Sequence, residues 1–272
     1  MIYNDGFNTQ TFAGKIEYKQ INTPTVNSVV PPYGDIFGDY TITIMGTNLN
    51  DPTAVVLIDD IPCGYVSSDS TQLVCNVGAR PNIPAKNSFS VSINGNKAII
   101  NNGFLYVLKW SDARTWGVDA PPIEGDLVYV PPGMTLLIDQ DTPILLGIAV
   151  EKGNLIFPND TSKSITVRTG FITLNGGQFI AGTESAPLYS NLTFIMYGGY
   201  YGKQQPMFGN KGIGCMDCKF SMYGRPRKPT WTTISATINI GDTTLTVTDD
   251  VDWKVGETIV VAATSFYHFE AE

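Results

Sequence analysis

The feature that most constrains the fold is a series of short alternating runs closed by Gly, Pro, Asn or Asp, with almost no helical periodicity. Successive side chains of a β-strand point to opposite faces, so alternation of apolar and polar residues predicts a half-buried strand. In Thr243–Asp249, for example, Leu245 and Val247 alternate with threonines. Similar runs predict strands at Thr41–Gly46, Ala54–Asp59, Phe89–Gly95, Gly103–Lys109, Ser164–Thr169, Phe171–Gly176, Leu192–Gly198 and Glu257–Ala263. The sequence therefore predicts an all-β chain with at most a short helix.

Composition and charge argue against several functional classes. The 272 residues carry a net charge of -8, and only 15% of them are charged. An acidic surface repels phosphate backbones, so we expect no nucleic-acid partner. No run approaches the roughly 20 apolar residues that a membrane helix needs, so we expect no membrane span in this segment. The first residues have neither the basic start nor the apolar core of a signal peptide.

Two kinds of residue indicate the compartment: four cysteines and two Asn-x-Thr sequons. The cysteines are Cys63, Cys75, Cys215 and Cys218, and the sequons begin at Asn159 and Asn191. Paired cysteines together with sequons favour an oxidising, extracellular setting, in which Asn159 and Asn191 are the predicted glycosylation sites. The alternative is a cytosolic protein with free thiols.

The first part of the chain, residues 23–109, has strand signals about ten residues apart, which favours a β-sandwich. The runs in question are PTVNSVVPPYG, ITIMGTNL, VLIDDIPCGYV, QLVCNV, FSVSINGN and FLYV. In this order they resemble an IPT/TIG domain, which has an immunoglobulin-like fold. The resemblance implies a disulfide between Cys63 and Cys75, since many extracellular members bridge these positions, and such a bridge contributes about 2–4 kcal/mol.

The N-terminal residues repeat part of this pattern. Ile2–Tyr18 resembles Ser92–Tyr106, because both have a strand, an Asn-rich turn with Gly and a second strand that ends in Tyr. We therefore predict that residues 1–20 are the last hairpin of a preceding IPT/TIG repeat, and that the chain is a piece of a longer protein. The alternative is an N-terminal arm that adds a strand elsewhere.

From Trp110 to Glu272 the chain changes character, because glycines and short strands recur without hairpin spacing. In order, the marked elements are Trp116, Gly125–Gly133, Leu136–Pro143, Gly153–Phe157, Gly176–Pro187, Gly209–Gly212, Trp231–Ile234, Val251–Thr264 and Phe269–Glu272. As a set they resemble the eight-glycine (G8) domain, with Glu257 in place of the usual Asp. IPT/TIG repeats followed by a G8 domain are typical of fibrocystin-like surface proteins.

The predicted fold class is therefore all-β, with an Ig-like β-sandwich followed by a G8 domain. Short parallel strands joined by glycine turns are typical of a parallel β-helix. In the G8 family a β-helix region usually follows this domain. We accordingly predict that the G8 domain forms the start of a β-helix that leads beyond the end of the chain.

Three acids are weak candidates for chemistry: Asp139, Asp141 and Glu184. Asp139 and Asp141 lie two residues apart, and a carboxylate pair at controlled separation is what a glycoside hydrolase needs. The structural interpretation is favoured: Asp139 ends a strand and caps the turn at Gln140–Pro143, while Glu184 hydrogen-bonds exposed turn amides. We therefore predict no catalytic residue.

Cys215 and Cys218 form a C-x-x-C motif in a glycine-rich β context. Redox motifs of this kind normally open a helix in a βαβ unit, and a zinc site would need two further ligands. We predict a tight structural disulfide, with free thiols as the alternative, and neither a cofactor nor a metal site.

The predicted function is structural or adhesive, in a large extracellular or cell-surface glycoprotein. The resemblance makes a filament or coat on cilia or on the cell surface plausible. The expected partners are other protein chains or further domains of the same chain, self-assembly, and an extracellular glycan. The alternative is a polysaccharide-acting, hyaluronidase-like enzyme or a glycan-binding receptor.

Overall fold

The computed structural model describes residues 2–4, 9–11, 23–80, 88–101, 103–117, 120–199, 201–202, 205 and 208–262. Over this part of the chain the structure is almost entirely β, and its one 3-10 helix is the turn Ala113–Trp116. Near the N-terminus β1 (Ile2–Asn4) pairs antiparallel with β2 (Thr9–Thr11). The rest of the hairpin predicted for residues 1–20 lies outside the described residues, and its place in a preceding repeat stays a prediction.

The first part of the chain forms a β-sandwich. Its strands are β3 (Thr25–Val30), β4 (Tyr33–Asp35), β5 (Tyr40–Thr47), β6 (Val55–Ile58), β7 (Ile61–Ser68), β8 (Gln72–Val77), β9 (Phe89–Ile93), β10 (Asn96–Lys97), β11 (Ile99–Ile100) and β12 (Leu105–Lys109). Apart from β4 and β12 they follow the hydrogen-bonded order β10-β9-β6-β7-β8-β5-β3-β11. β7 pairs with β6 through its first residues and with β8 through its last ones, so it links the two faces.

The sandwich core follows from the alternation of these strands. In β5, for example, Ile42 and Ile44 are buried while their neighbours are not. They pack with Leu73 and Val91 from other strands and with the ring of Phe104. Cys63 on β7 and Cys75 on β8 are both buried in this core and form a disulfide with a Cα–Cα distance of 5.5 Å.

The strand β12 connects the two parts of the molecule. The residues Leu105, Tyr106 and Val107 of β12 pair in parallel with β4, on the sandwich side. The next two residues, Leu108 and Lys109, pair in parallel with β14 (Thr135–Leu137), in the second part. Because its backbone hydrogen bonds serve both sides, β12 fixes the second part to the sandwich.

The second part consists of three parallel sheets that the chain visits in turn. Its remaining strands are β13 (Leu127–Val130), β15 (Gly147–Glu151), β16 (Asn154–Ile156), β17 (Ser164–Thr169), β18 (Phe171–Asn175), β19 (Gln178–Ala181), β20 (Asn191–Met196), β21 (Gly212–Met216) and β22 (Lys219–Met222). The first sheet has the order β13-β15-β18-β21, and the second has β22-β19-β16-β14-β12-β4. The third sheet pairs β17 with β20. Each round of the chain thus lies on the previous one as a new layer.

The core of this stack consists of aliphatic and aromatic columns. In the first sheet Ile148 lies beside Ile172, and in the second Leu136 lies beside Leu155, all four fully buried. In a parallel stack such residues are covered by the layers on both sides. The sequences of these strands are therefore short apolar runs, separated by glycines at the corners.

Two predicted strands are wrong. Thr243–Asp249 and the described part of Glu257–Ala263 form no strand, and only an isolated bridge joins Ile234 to Val247. The alternation is real, since Leu245 and Val247 are less exposed than the threonines beside them. A strand also needs a neighbour for its backbone groups, however, and residues 225–262 contribute no buried hydrophobic residue to a core.

Candidate assembly surface and the predicted site residues

The most distinctive surface is the last layer of the parallel stack, formed by β20, β21 and β22. Within the part of the chain that the structure describes, each of these strands pairs on one side only. Ile213 and Cys215 extend the inward columns of β18, while Phe220 and Met222 extend those of β19. We call these four residues the open end. In earlier layers the same positions are fully buried, whereas here the side chains are exposed.

A column of phenylalanine rings ends at this surface. Phe179 is 0% exposed and lies stacked on Phe220, with 4.6 Å between the ring centroids. Phe157 and Phe194 contact Phe179 from other sides, at 5.3 Å and 5.8 Å. Phe220 has no such cover and is 44% exposed. The open end thus presents an aromatic face and unpaired strand edges, which is the kind of surface onto which a further strand adds.

Asp139 does not cap the turn that the sequence predicted. Its Oδ1 accepts a hydrogen bond from the Ser111 backbone N–H at 3.0 Å, and its Oδ2 accepts one from the Ser111 hydroxyl at 2.6 Å. Ser111 belongs to the segment that leaves the sandwich. Asp139 therefore ties the first layer of the stack to this connecting segment.

Asp141 makes the opposite connection. Its Oδ1 accepts a hydrogen bond from the Thr166 backbone N–H at 2.8 Å, and its Oδ2 lies 3.0 Å from Nη1 of Arg168. Both partners lie on β17, in the next layer. The Thr166 hydrogen bond, and then the hydrogen bond and the charge of Arg168, hold the pKa of the Asp141 carboxyl below its usual range. A general acid needs a raised pKa, so this environment favours a structural clamp.

Glu184 is exposed on the turn Thr183–Ala186. The turn is closed by other groups: the backbones of Thr183 and Ala186 bond to each other, and the Thr183 hydroxyl accepts a hydrogen bond from the Ala186 N–H at 3.1 Å. The prediction that Glu184 bonds the turn amides therefore named the wrong residue, because the shorter Thr183 side chain reaches them.

The clamp interpretation predicts a specific energetic coupling. Replacing Asp139 by Ala removes two charge-assisted hydrogen bonds at a partly exposed site, and we expect a loss of about 1–2 kcal/mol in the free energy of unfolding. Urea unfolding of Asp139→Ala, Ser111→Ala and the double variant measures the coupling. The double variant should cost little more than Asp139→Ala alone, whereas Glu184→Ala should cost almost nothing. Additive effects of the two single changes would contradict the clamp.

Cys215 and Cys218 form a disulfide at the corner between β21 and β22, with a Cα–Cα distance of 5.6 Å. Asp217 between them has a positive φ of 49°. The corresponding corners of earlier layers hold Lys152 and Gly176, also at positive φ. The motif is thus one of a series of equivalent corners, and the helix start typical of a redox C-x-x-C is not present there.

The two sequons have different environments. The Asn159 side chain donates to the Pro187 carbonyl at 2.8 Å and accepts from the Tyr189 N–H at 2.7 Å. Asn191 is the first residue of β20, and its side chain is exposed.

A wide apolar groove of about 1010 Å³ lies in the segment after β22. Trp231, Leu245 and Trp253 contribute to its walls. Glu257, the residue that departs from the G8 pattern, forms an ion pair with Arg227 and accepts a hydrogen bond from the Lys254 N–H. These contacts, the hydrogen bond first, lower the pKa of Glu257. Glu257 therefore connects Arg227 to the turn at Lys254.

The described residues contain no cluster of His, Cys, Asp or Glu suited to a metal ion. Among them there is also no helix long and apolar enough to cross a membrane. No sequence pattern pointed to Ser111, Arg168 or Phe220, because their partners are distant in the chain and depend on the register of the layers.

Comparison with protein families accounts for both parts of the structure. The model of the IPT/TIG domain matches residues 24–107, which contain the sandwich. The model of the G8 domain matches residues 115–235, which contain the parallel stack. The chain contains an IPT/TIG domain followed by a G8 domain. The resemblance predicted from the sequence is therefore confirmed.

Individual relatives point to the same group. Fibrocystin-L of Mus musculus is 30% identical over 92% of this chain, which corresponds to 6% of the relative. Fibrocystin of Mus musculus is 27% identical over 76% of the chain and 5% of its own length. A G8 domain-containing protein of Dictyostelium discoideum is 30% identical over 60% of the chain and 15% of its own length. The chain thus spans a small fraction of these multidomain relatives.

Proposed function

We propose that the chain is a structural or adhesive segment of a large extracellular or cell-surface glycoprotein. In this proposal the IPT/TIG domain is a spacer, and the G8 domain forms the first coils of a parallel β-helix. The similarity to fibrocystin-type proteins and the two disulfides support the extracellular setting. A coat or filament on cilia or on the cell surface is the assembly that we propose for the whole protein.

The observation that carries this proposal is the open end. A parallel stack buries each layer against the next, so a last layer with exposed inward residues is incomplete by itself. We propose that a further parallel layer covers Phe220 and Met222 in the whole protein. In the isolated chain a second copy of the chain covers these residues instead of a further layer, because both copies expose the same apolar face and the same strand edges.

The open end therefore predicts self-association of the isolated chain. Sedimentation equilibrium should show dimers or larger species, and Phe220→Asp should weaken the association at least about tenfold, the equivalent of about 1.4 kcal/mol. Tyr129→Asp is the matched control, because Tyr129 is 56% exposed on the outer face of β13, away from the open end. A wild-type chain that stays monomeric at high concentration, or equal effects of the two substitutions, would count against the proposal. Electron microscopy of native material then distinguishes filaments from isolated particles.

The geometry does not favour the enzymatic alternative, because Asp139 is bonded to the connecting segment and Asp141 to the next layer. The test is incubation with hyaluronan and other glycans, with and without calcium. We expect no chain shortening. Shortening that disappears in Asp139→Ala while the fold is retained would replace the structural proposal by an enzymatic one.

Glycan binding without cleavage is a separate role for the exposed tyrosines of the second part. Tyr197, Tyr201 and Tyr223 are exposed, while Tyr200 lies outside the described residues. Aromatic rings of this kind bind sugars and also anchor protein interfaces. The same incubation, followed by co-sedimentation with the glycans, tests this role.

A further inference from the structure

The two sequons of the G8 domain differ in whether the folded chain leaves room for a sugar. N-linked glycosylation replaces one hydrogen of Nδ2 of Asn by a sugar, so this nitrogen and the space beside it must be accessible. Both asparagines have exposed side chains, so exposure alone does not separate them. The hydrogen bonds of their side chains distinguish the two sites.

Asn159 uses both ends of its amide to hold the next layer. Nδ2 donates to the carbonyl of Pro187, and Oδ1 accepts from the N–H of Tyr189. These two partners belong to one short segment, so the donated hydrogen is on the same side of the planar amide as Oδ1. In a glycosylated asparagine the sugar occupies this side of the amide. A sugar on Asn159 would therefore displace the segment at Pro187–Tyr189.

Asn191 has the opposite geometry. Leu192 and Phe194 on the same strand face the core, so Asn191 and Thr193, which alternate with them, face outward. Across β17 the partner of Asn191 in the register is Ser164, a small and exposed residue. The described residues show no hydrogen bond from the Asn191 side chain, and its backbone N–H donates to Lys163.

We infer that the folded protein carries an N-linked glycan at Asn191 and that Asn159 is an unmodified clamp between layers. This inference rests on the proposed extracellular function and specifies it further. A glycan at Asn191 covers the outer face of the β17–β20 sheet, where Ile195 is exposed. The glycan keeps that outer face in solvent. The open end, whose four side chains lie inside the ring of sheets, remains free as the surface for association.

The test is to secrete the chain from a eukaryotic host behind a cleavable signal sequence. The sequons are removed without touching either asparagine, through Thr193→Ala and, as the matched control, Thr161→Ala. We expect Thr193→Ala to lose the entire mobility shift that N-glycosidase treatment produces in the wild type. We expect Thr161→Ala to retain it. Enzymatic deglycosylation in heavy-oxygen water, followed by peptide mapping, should label position 191 and leave position 159 unlabelled.

The outcomes separate this inference from the proposed function. A secreted, disulfide-bonded chain without a glycan at Asn191, or with equal labelling at positions 159 and 191, overturns the glycan inference alone. A chain that stays inside the cells with all four cysteines open to alkylation overturns the extracellular function, and the glycan inference with it.

Discussion

Replacing Phe179 by Ala is expected to lower the free energy of unfolding of the G8 domain by about 3–5 kcal/mol. Phe179 is fully buried and contacts Phe157, Phe194 and Phe220, so its removal leaves a cavity on which three rings border. The hydrogen-bonded backbones of the neighbouring layers hold these rings in place, so the surrounding residues fill only part of the cavity. Tryptophan fluorescence during urea unfolding is a suitable measurement, because all four tryptophans, at positions 110, 116, 231 and 253, follow the sandwich in the sequence.

Phe220→Ala is the control for this prediction. It removes the same ring from the open end, where Phe220 is 44% exposed, so less apolar surface is lost and the cavity opens to solvent. We expect less than half the effect of Phe179→Ala. Both variants are measured at a concentration at which the chain is monomeric. Equal costs for the two changes would then mean that another part of the chain covers Phe220, and would contradict the description of the open end.

The sequence correctly predicted those strands that are determined by the alternation of their own residues. The alternation of Ser164–Thr169 gave the bounds of β17, because one face of this strand is buried and the other is in solvent. At Thr243–Asp249 the same argument failed. Alternation indicates which side of a strand would be buried, but whether a partner strand lies beside it depends on the rest of the chain.

The candidate site shows the same division. The sequence indicated that Asp139 and Asp141 are structural, but it did not indicate their partners. Ser111 lies 28 positions before Asp139, and Arg168 lies 27 positions after Asp141. Such pairs arise from the parallel register of successive layers. The two acids together join three consecutive levels of the molecule: the connecting segment, the first layer and the second layer.

The second large loss of stability is expected at the corners between the first and second sheets. Gly177 has a φ of +72°, and a Cβ atom built on it would lie 2.0 Å from the carbonyl oxygen of Gly153 in the layer below. A backbone carbonyl in a packed corner has no room to move, and an L-residue at positive φ is itself strained by about 1–2 kcal/mol. We expect Gly177→Ala to cost about 3–5 kcal/mol in the free energy of unfolding, as strain and overpacking combined.

The neighbouring Gly176 separates these two causes. Its φ is +70°, but the nearest atom to a Cβ there would be in the flexible side chain of Lys152, at 3.0 Å, and the nearest backbone atoms would lie at 3.8 Å, an ordinary contact. Gly176→Ala should therefore show the conformational strain alone, about 1–2 kcal/mol. The difference between the two variants, measured by urea unfolding of each, is the cost of separating the layers at this corner. If the two variants were equally stable, the close approach of Gly177 to Gly153 would not be what fixes the spacing of the layers.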